Sequence, residues 1–185
     1  MAMTDARMTA EDYFVATAGD RRTQLIDGAV VVNEPKWRHQ RAAGLIFTRL
    51  QVWTETQSGR GVAGMPIDIV VDRYNVFAPD VWWVADATRL DPDEFFRGVP
   101  DLAVEVRSPS TWRYDVGAKK ARYEQHGLPE LWLVDTAAST VLVLRRWSTA
   151  SSRFDVRVDL AAGESATSPQ LPGFVLALDD VFAAS

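Results

Sequence analysis

The sequence contains no cysteine, which removes disulfide scaffolds, cysteine-ligated zinc, iron–sulfur clusters and thiol nucleophiles together. Two histidines, His39 and His126, are its whole supply of imidazole, so a three-histidine zinc centre is excluded as well. No apolar run approaches the roughly 20 residues that span a bilayer, and residues 1–7 lack the hydrophobic segment of a secretory signal. The expected compartment is the cytoplasm, with no membrane partner. Lysine is scarce: Lys36, Lys119 and Lys120 are the only lysines among 20 basic residues, set against 25 acids. The net charge of −5 provides no bulk electrostatic hold on nucleic acid, so any phosphate contact has to come from a local patch. Neither a GxGxxG after a strand nor a GxxxxGK[ST] loop occurs, which excludes nucleotide chemistry by those routes.

What is present is a chain of 185 residues, 47% hydrophobic and 24% charged, without repeats or low-complexity tracts. Those proportions suit one globular domain with one core. We expect residues 1–8 to be a flexible tail and residues 9–185 a single domain. Thr9 can cap a short helix to about Ala18, with Asp12 placed for a capping box and Gly19 as the stop. Gln24-Leu25-Ile26, Asp27-Gly28 and Ala29 to Asn33 read as a hairpin, because Asp-Gly accepts the positive φ angles of a two-residue turn. Ala42, Ala43, Ile46, Phe47, Leu50 and Trp53 recur at three- and four-residue spacing, the apolar face of a helix from His39 to about Thr56.

Strand-like runs follow at Ile67 to Val71 and Val76 to Val84, then a polar loop with a helical turn to Pro100. Leu102 to Val106 is a further strand, and Asp115 to His126 a helix stopped by Gly127. Strands at Leu131 to Val134, Val141 to Arg146 and Phe154 to Leu160, the last at an edge, precede a helical turn at Leu178 to Phe182. Helices inserted into a run of strands predict a central mixed sheet flanked by helices, in the α/β or α+β class.

The chemistry concentrates between Asp80 and Lys119. Asp80 precedes the apolar Val81-Trp82-Trp83-Val84, and Glu105 interrupts Leu102-Ala103-Val104-Glu105-Val106, so two acids sit among residues that exclude water. Carboxylates within about 4 Å repel by about 4 kcal/mol at an effective dielectric near 20, so such a pair needs a shared proton or a cation. A proton gives an acid/base dyad, as in a two-carboxylate glycosidase; a divalent cation gives a hard oxygen site suited to magnesium or manganese. Asp115, Lys119 and Tyr123 share one helix face, which can carry an ammonium towards the acids.

Each residue has a plainer alternative. Asp80 can belong to a turn after Pro79, and Glu105 can be a structural ion-pair partner of Arg107 or Lys119. Lys119 can be an exposed helix lysine, Asp115 an N-cap, Tyr123 a packing residue, His39 a surface or capping residue, and Asp68 a solvent-facing strand residue. Trp112, beside Arg113 in a loop, is the tryptophan placed for base stacking.

Leu25-Ile26-Asp27-Gly28, Pro79-Asp80, Pro100-Asp101-Leu102-Ala103-Val104-Glu105-Val106 leading to Ser108-Pro109-Ser110-Thr111, Asp115 with Lys119 and Tyr123, Leu131-Trp132-Leu133-Val134-Asp135, and Leu171-Pro172-Gly173-Phe174 occur in this order. Together they resemble the Uma-two family of restriction-endonuclease-like proteins, in the PD-(D/E)xK superfamily, over residues 9 to 182. The resemblance implies a restriction-endonuclease-like core with the active-site acids on adjacent strands. It implies a metal-dependent endonuclease acting on nucleic acid, with DNA as the expected partner and Mg or Mn as cofactor. By position Asp80 and Glu105 are the acids, Lys119 is the lysine moved to the following helix, and the Val106 carbonyl joins Asp80 and Glu105 as a metal ligand.

Arg107, Trp112 and Arg113 are the expected substrate contacts, and cutting two strands would suit a homodimer. Two departures stand out: Gln24 replaces the glutamate usual before Leu-Ile-Asp-Gly, and Arg107 replaces the lysine of the standard motif. A catalytically inactive relative acting as a nucleic-acid or protein interaction module is the alternative function. We further expect that Lys119→Ala would abolish cleavage while leaving the fold largely intact, and that Arg107, sharing the strand parity of Glu105, would enter the same pocket.

Overall fold

The structure, a computed structural model, describes residues 7–17 and 22–183. Ala18 and the expected stop at Gly19 lie outside the described residues, as does most of the expected tail. Helix α1 (Ala10–Ala16) is capped as the sequence predicts: Asp12 N–H donates to Thr9 Oγ1 and Thr9 N–H to the Asp12 carboxylate, both at 3.2 Å. Strands β1 (Thr23–Ile26) and β2 (Ala29–Val32) form the hairpin, with Asp27 and Gly28 at φ 51° and 80°. Helix α2 (Trp37–Glu55) begins two residues earlier than expected and buries His39, Ala42, Ala43, Ile46, Leu50 and Trp53.

The run expected from Val76 to Val84 is cut at Ala78-Pro79-Asp80 into β5 (Asn75–Phe77) and β6 (Val81–Val84), because proline has no N–H for a ladder. Two further strands, β3 (Val62–Gly64) and β4 (Ile69–Asp72), precede that break. The polar loop holds a 3-10 turn, Ala87–Arg89, and the short strand β7 (Phe96–Arg97). After β8 (Leu102–Val106), α3 (Trp112–Tyr114) runs through a π-helical turn, Asp115–Lys119, into α4 (Lys120–Gln125). Strands β9 (Glu130–Asp135), β10 (Thr140–Arg145), β11 (Val156–Ala161), β12 (Ser165–Ala166) and β13 (Leu176–Ala177) and helix α5 (Leu178–Phe182) complete the chain.

The expected central mixed sheet is present as a six-stranded sheet, accompanied by a second large sheet and a small one. Six strands run in the order β11-β10-β9-β8-β6-β3, five in the order β2-β1-β5-β4-β7, and β12 pairs with β13. The break at Pro79 is the transfer point, since β5 belongs to the five-stranded sheet and β6 to the six-stranded one. Both large sheets are mixed, with β8–β9 and β4–β7 the parallel pairs.

Strand alternation divides the core of the six-stranded sheet. Val81, Trp83, Val104, Trp132, Val134 and Val143 pack with Ile46 and Leu50 of α2 and with Phe174 and Leu178 on one face. Trp82, Val84, Ala103, Leu131 and Leu133 pack on the other with Ile69 and Phe77 of the second sheet and Tyr123 of α4. A sheet covered on both faces needs apolar residues on both, which explains the unbroken Val-Trp-Trp-Val run. Gly64 is required at the edge: a Cβ there would lie 2.0 Å from the Trp82 ring, whose indole N–H donates to the Met65 carbonyl at 2.6 Å. Among the described residues no helix is long and apolar enough to cross a membrane.

Candidate active site

Glu105 lies on the central strand β8 between β6 and β9, with the parity of Ala103, and so enters the core shared with the second sheet. Only 2% exposed, its carboxylate has to find partners inside the protein. The Tyr123 hydroxyl donates to Oε1 at 2.8 Å, and the Lys119 ammonium lies 2.7 Å from Oε2. Lys119 is fully buried and also lies 3.1 Å from Asp115 Oδ1, while Thr111 Oγ1 donates to Asp115 Oδ2 at 3.3 Å. Both groups belong to the π-helical turn, a local widening that recurs at functional sites.

Asp80 follows Pro79 at the foot of β6. Pairing of Val81 with Val104 brings Asp80 level with Glu105 on the neighbouring strand, as the resemblance implies. Its Oδ2 accepts the Val106 N–H at 2.7 Å, and Oδ1 lies 3.0 Å from His39 Nε2. Asp80, His39 and Gln24 line a cavity of about 210 Å³. Glu105 is not among the residues lining it.

The electrostatics follow from burial. Burial pushes the Glu105 carboxyl up to about 8, against the pull of Lys119 and with added repulsion from Asp115 and Asp80. Asp115 is raised by burial in the same way, again opposed by Lys119. Burial would lower the Lys119 ammonium, but Glu105 and Asp115 more than offset it, so its proton is held above the ordinary lysine range. Burial and the Glu105 charge hold the Tyr123 phenol well above its usual value, which keeps it a donor. With carboxylate oxygens at 2.7 and 3.1 Å and three N–H donors, the Lys119 ammonium keeps one proton to offer another acceptor.

Glu105 and Asp115 thus flank one buried ammonium, with Asp80 on the neighbouring strand against His39. Among the described residues no three His, Asp or Glu side chains form a ready-made cation site. Magnesium, however, keeps several waters and takes only one or two carboxylates. Asp80 and Glu105 supply hard oxygen donors of the kind such an ion takes, and in this structure those oxygens are engaged by the Val106 N–H, His39, Tyr123 and Lys119.

Several expectations are corrected. His39, read as a surface or capping residue, is 5% exposed and stands against Asp80; its place on the stripe with Ala42, Ala43 and Ile46 is the signal that finds it. Asp115 is no N-cap, because the helix begins at Trp112, and the cap would need a chain end where there is a continuing turn. Lys119 is not exposed, so its removal cannot leave the fold indifferent. Arg107 does not join Glu105: it lies past the end of β8, and its guanidinium is held by both oxygens of Asp135 at 2.8 and 3.0 Å.

Trp112 sits in α3, partly buried against the second core, with the Arg107 guanidinium 5.9 Å from its ring. Exposed Arg113 lies over Tyr114 and donates to its hydroxyl. Neither lines the Asp80 cavity. Gln24 is buried there, its Oε1 accepting the Ala78 N–H at 3.0 Å.

The family model Uma2, described as "Putative restriction endonuclease", matches residues 10–179. Among solved structures, one titled as a "putative nuclease belonging to DUF820" from Anabaena variabilis ATCC 29413 superposes with a TM-score of 0.78, covering 95% of this chain and 98% of that chain. The sequences are 17% identical, so that likeness shows the fold. No curated protein gives a match.

Proposed function

Because the chain belongs to the Uma2 family, we propose that it is a divalent-metal-dependent endonuclease hydrolysing phosphodiester bonds of nucleic acid, with DNA the first substrate to test. The observation that carries this reading is the pair of buried acids Asp80 and Glu105, level on neighbouring strands, with Asp115 and Lys119 beside Glu105, because buried carboxylates are costly unless cations offset them. Asp80, Glu105 and the Val106 carbonyl are the groups that would hold magnesium or manganese. Such an ion supplies, when bound, electrophilic stabilisation of the phosphodiester as negative charge builds on its oxygens.

The chain's own residues provide the rest. The Val106 N–H and the His39 imidazole each hold one oxygen of Asp80, and Tyr123 and Lys119 each hold one oxygen of Glu105. Lys119 is assigned the catalytic ammonium: its spare donor orients the attacking water, and its charge offsets that on the phosphate. Arg107 cannot take that role as a base, since guanidinium stays protonated at neutral pH; held by Asp135, it is suited to clamping a phosphate.

Gln24 favours a second reading, a non-catalytic interaction module, because the neutral amide brings no charge to the Asp80 cavity. Calorimetric titration of magnesium into the protein and an Asp80→Ala variant separates the two. The nuclease reading expects binding that is lost in the variant; no binding to either supports the module.

A further inference from the structure

A second cavity adjoins the acid cluster through His39, which lines both. It encloses about 530 Å³, and Lys36, Trp37, Arg38, His39 and Arg107 are among its lining residues. Three of its eight lining residues are cations, Arg107 paired with Asp135, in a chain whose net charge is −5. Among the described residues Lys36 and Arg38 have no acidic partner. The cavity also receives the N-terminus of α2, a helix of 19 residues whose N-cap, Lys36, supplies no side-chain cap and whose first turn holds no acid. The first N–H groups of a helix have no intrahelical acceptor, and the helix dipole adds positive potential there.

Two further observations point to a ligand. His39 is 5% exposed and its Nε2 is taken by Asp80 at 3.0 Å, yet its buried Nδ1 has no partner. Trp37 is 69% exposed at the mouth of the same cavity, where an indole face gains nothing from the protein but is free to stack on a base.

We infer that this cavity is the path of the substrate strand. The α2 N-terminus, with Lys36 and Arg38, takes a phosphate neighbouring the one at Asp80. Trp37 stacks on the adjoining base. Stacking on a full indole face requires a base free of its duplex neighbours, so the preferred ligand is a single strand or an unpaired stretch. The inference rests on the nuclease reading for the class of ligand, and it replaces Trp112 by Trp37 as the stacking residue.

The test is fluorescence anisotropy with a labelled single strand of about 12 nucleotides and its matched duplex, in chelator so that nothing is cut. The single strand is expected to bind more tightly. Lys36→Ala/Arg38→Ala should weaken binding at least about tenfold and lower the salt slope by about 0.7, the contribution of one neutralised phosphate on a single strand. Trp37→Ala should weaken single-strand binding about tenfold and duplex binding little, whereas Trp147→Ala, at the other large exposed indole, should change neither. Circular dichroism verifies that each variant is folded.

Unchanged affinity in the double variant, equal losses on both ligands for Trp37→Ala, a loss confined to Trp147→Ala, or no binding by the unaltered protein would each overturn the inference. If the binding pattern holds but no cleavage is found with magnesium or manganese, the nuclease reading alone fails. Cleavage by a protein whose Lys36, Arg38 and Trp37 variants bind normally would sink the strand path alone.

Discussion

Replacing Lys119 by methionine preserves most of the side chain's volume and removes only its charge. The ammonium is fully buried, 2.7 Å from Glu105 and 3.1 Å from Asp115, and removing one partner of a buried ion pair costs about 3–5 kcal/mol because the other is left uncompensated. For a domain of this size that corresponds to a fall in Tm of roughly 6–20 °C. The loss must also depend on pH. Burial holds the Glu105 carboxyl at about 8 even with Lys119 beside it, and losing the ammonium raises it further, so the deficit grows as pH rises through about 8, where the unaltered protein releases the proton and the variant keeps it. Thermal and urea denaturation should therefore show a larger deficit at about pH 9 than at about pH 6. Adding Glu105→Gln to the variant should recover part of the deficit, because the stranded charge is then gone. A loss below about 1 kcal/mol, the range of an exposed pair, or a deficit independent of pH would refute this reasoning.

Since burial raises Glu105 to about 8, its protonated form is favoured in the folded protein; metal-free stability should fall as pH climbs from about 4.5 to about 8 and level off above, and magnesium affinity by calorimetry should rise over the same window, as expected when a proton and a cation compete. Gln24→Glu should keep the fold, because a carboxylate can still accept the Ala78 N–H, and should tighten magnesium binding by adding charge beside Asp80; an unchanged calorimetric affinity would show that position 24 does not face the ion. Gly64→Ala should lower stability by about 1–3 kcal/mol through overpacking against Trp82 without altering metal affinity, as urea denaturation and calorimetry can check.

Features with a local cause were legible in the sequence. The Thr9 capping box, the Asp27-Gly28 turn and the Leu178–Phe182 helix each depend on a few adjacent residues, and each formed where expected. Asp80 and Glu105 were legible as well, since an acid set among water-excluding residues demands a partner. What was missed depends on contacts distant in sequence. Pro79 announces that a ladder ends, but not that the next strand joins another sheet. Arg107 has the parity of Glu105, yet Asp135 on β9 captures it once β8 has ended.

His39 resembled a cap because it stands near a helix start, although its spacing to Ala42, Ala43 and Ile46 marks the buried face. The π-helical turn at Asp115–Lys119 has no local signature. Its early start at Trp112 converts Asp115 from a cap into a buried counter-charge for Lys119.

The nuclease function requires that the acid cluster cut nucleic acid with a bound cation. The direct measurement is cleavage of labelled single-stranded and duplex DNA by the unaltered protein and by Glu105→Gln, with manganese or magnesium and again in excess chelator. Cleavage is expected from the unaltered protein only when the cation is present, and none from Glu105→Gln although that variant folds. Undiminished cleavage in chelator, or by Glu105→Gln, would rule out metal-dependent chemistry at Glu105.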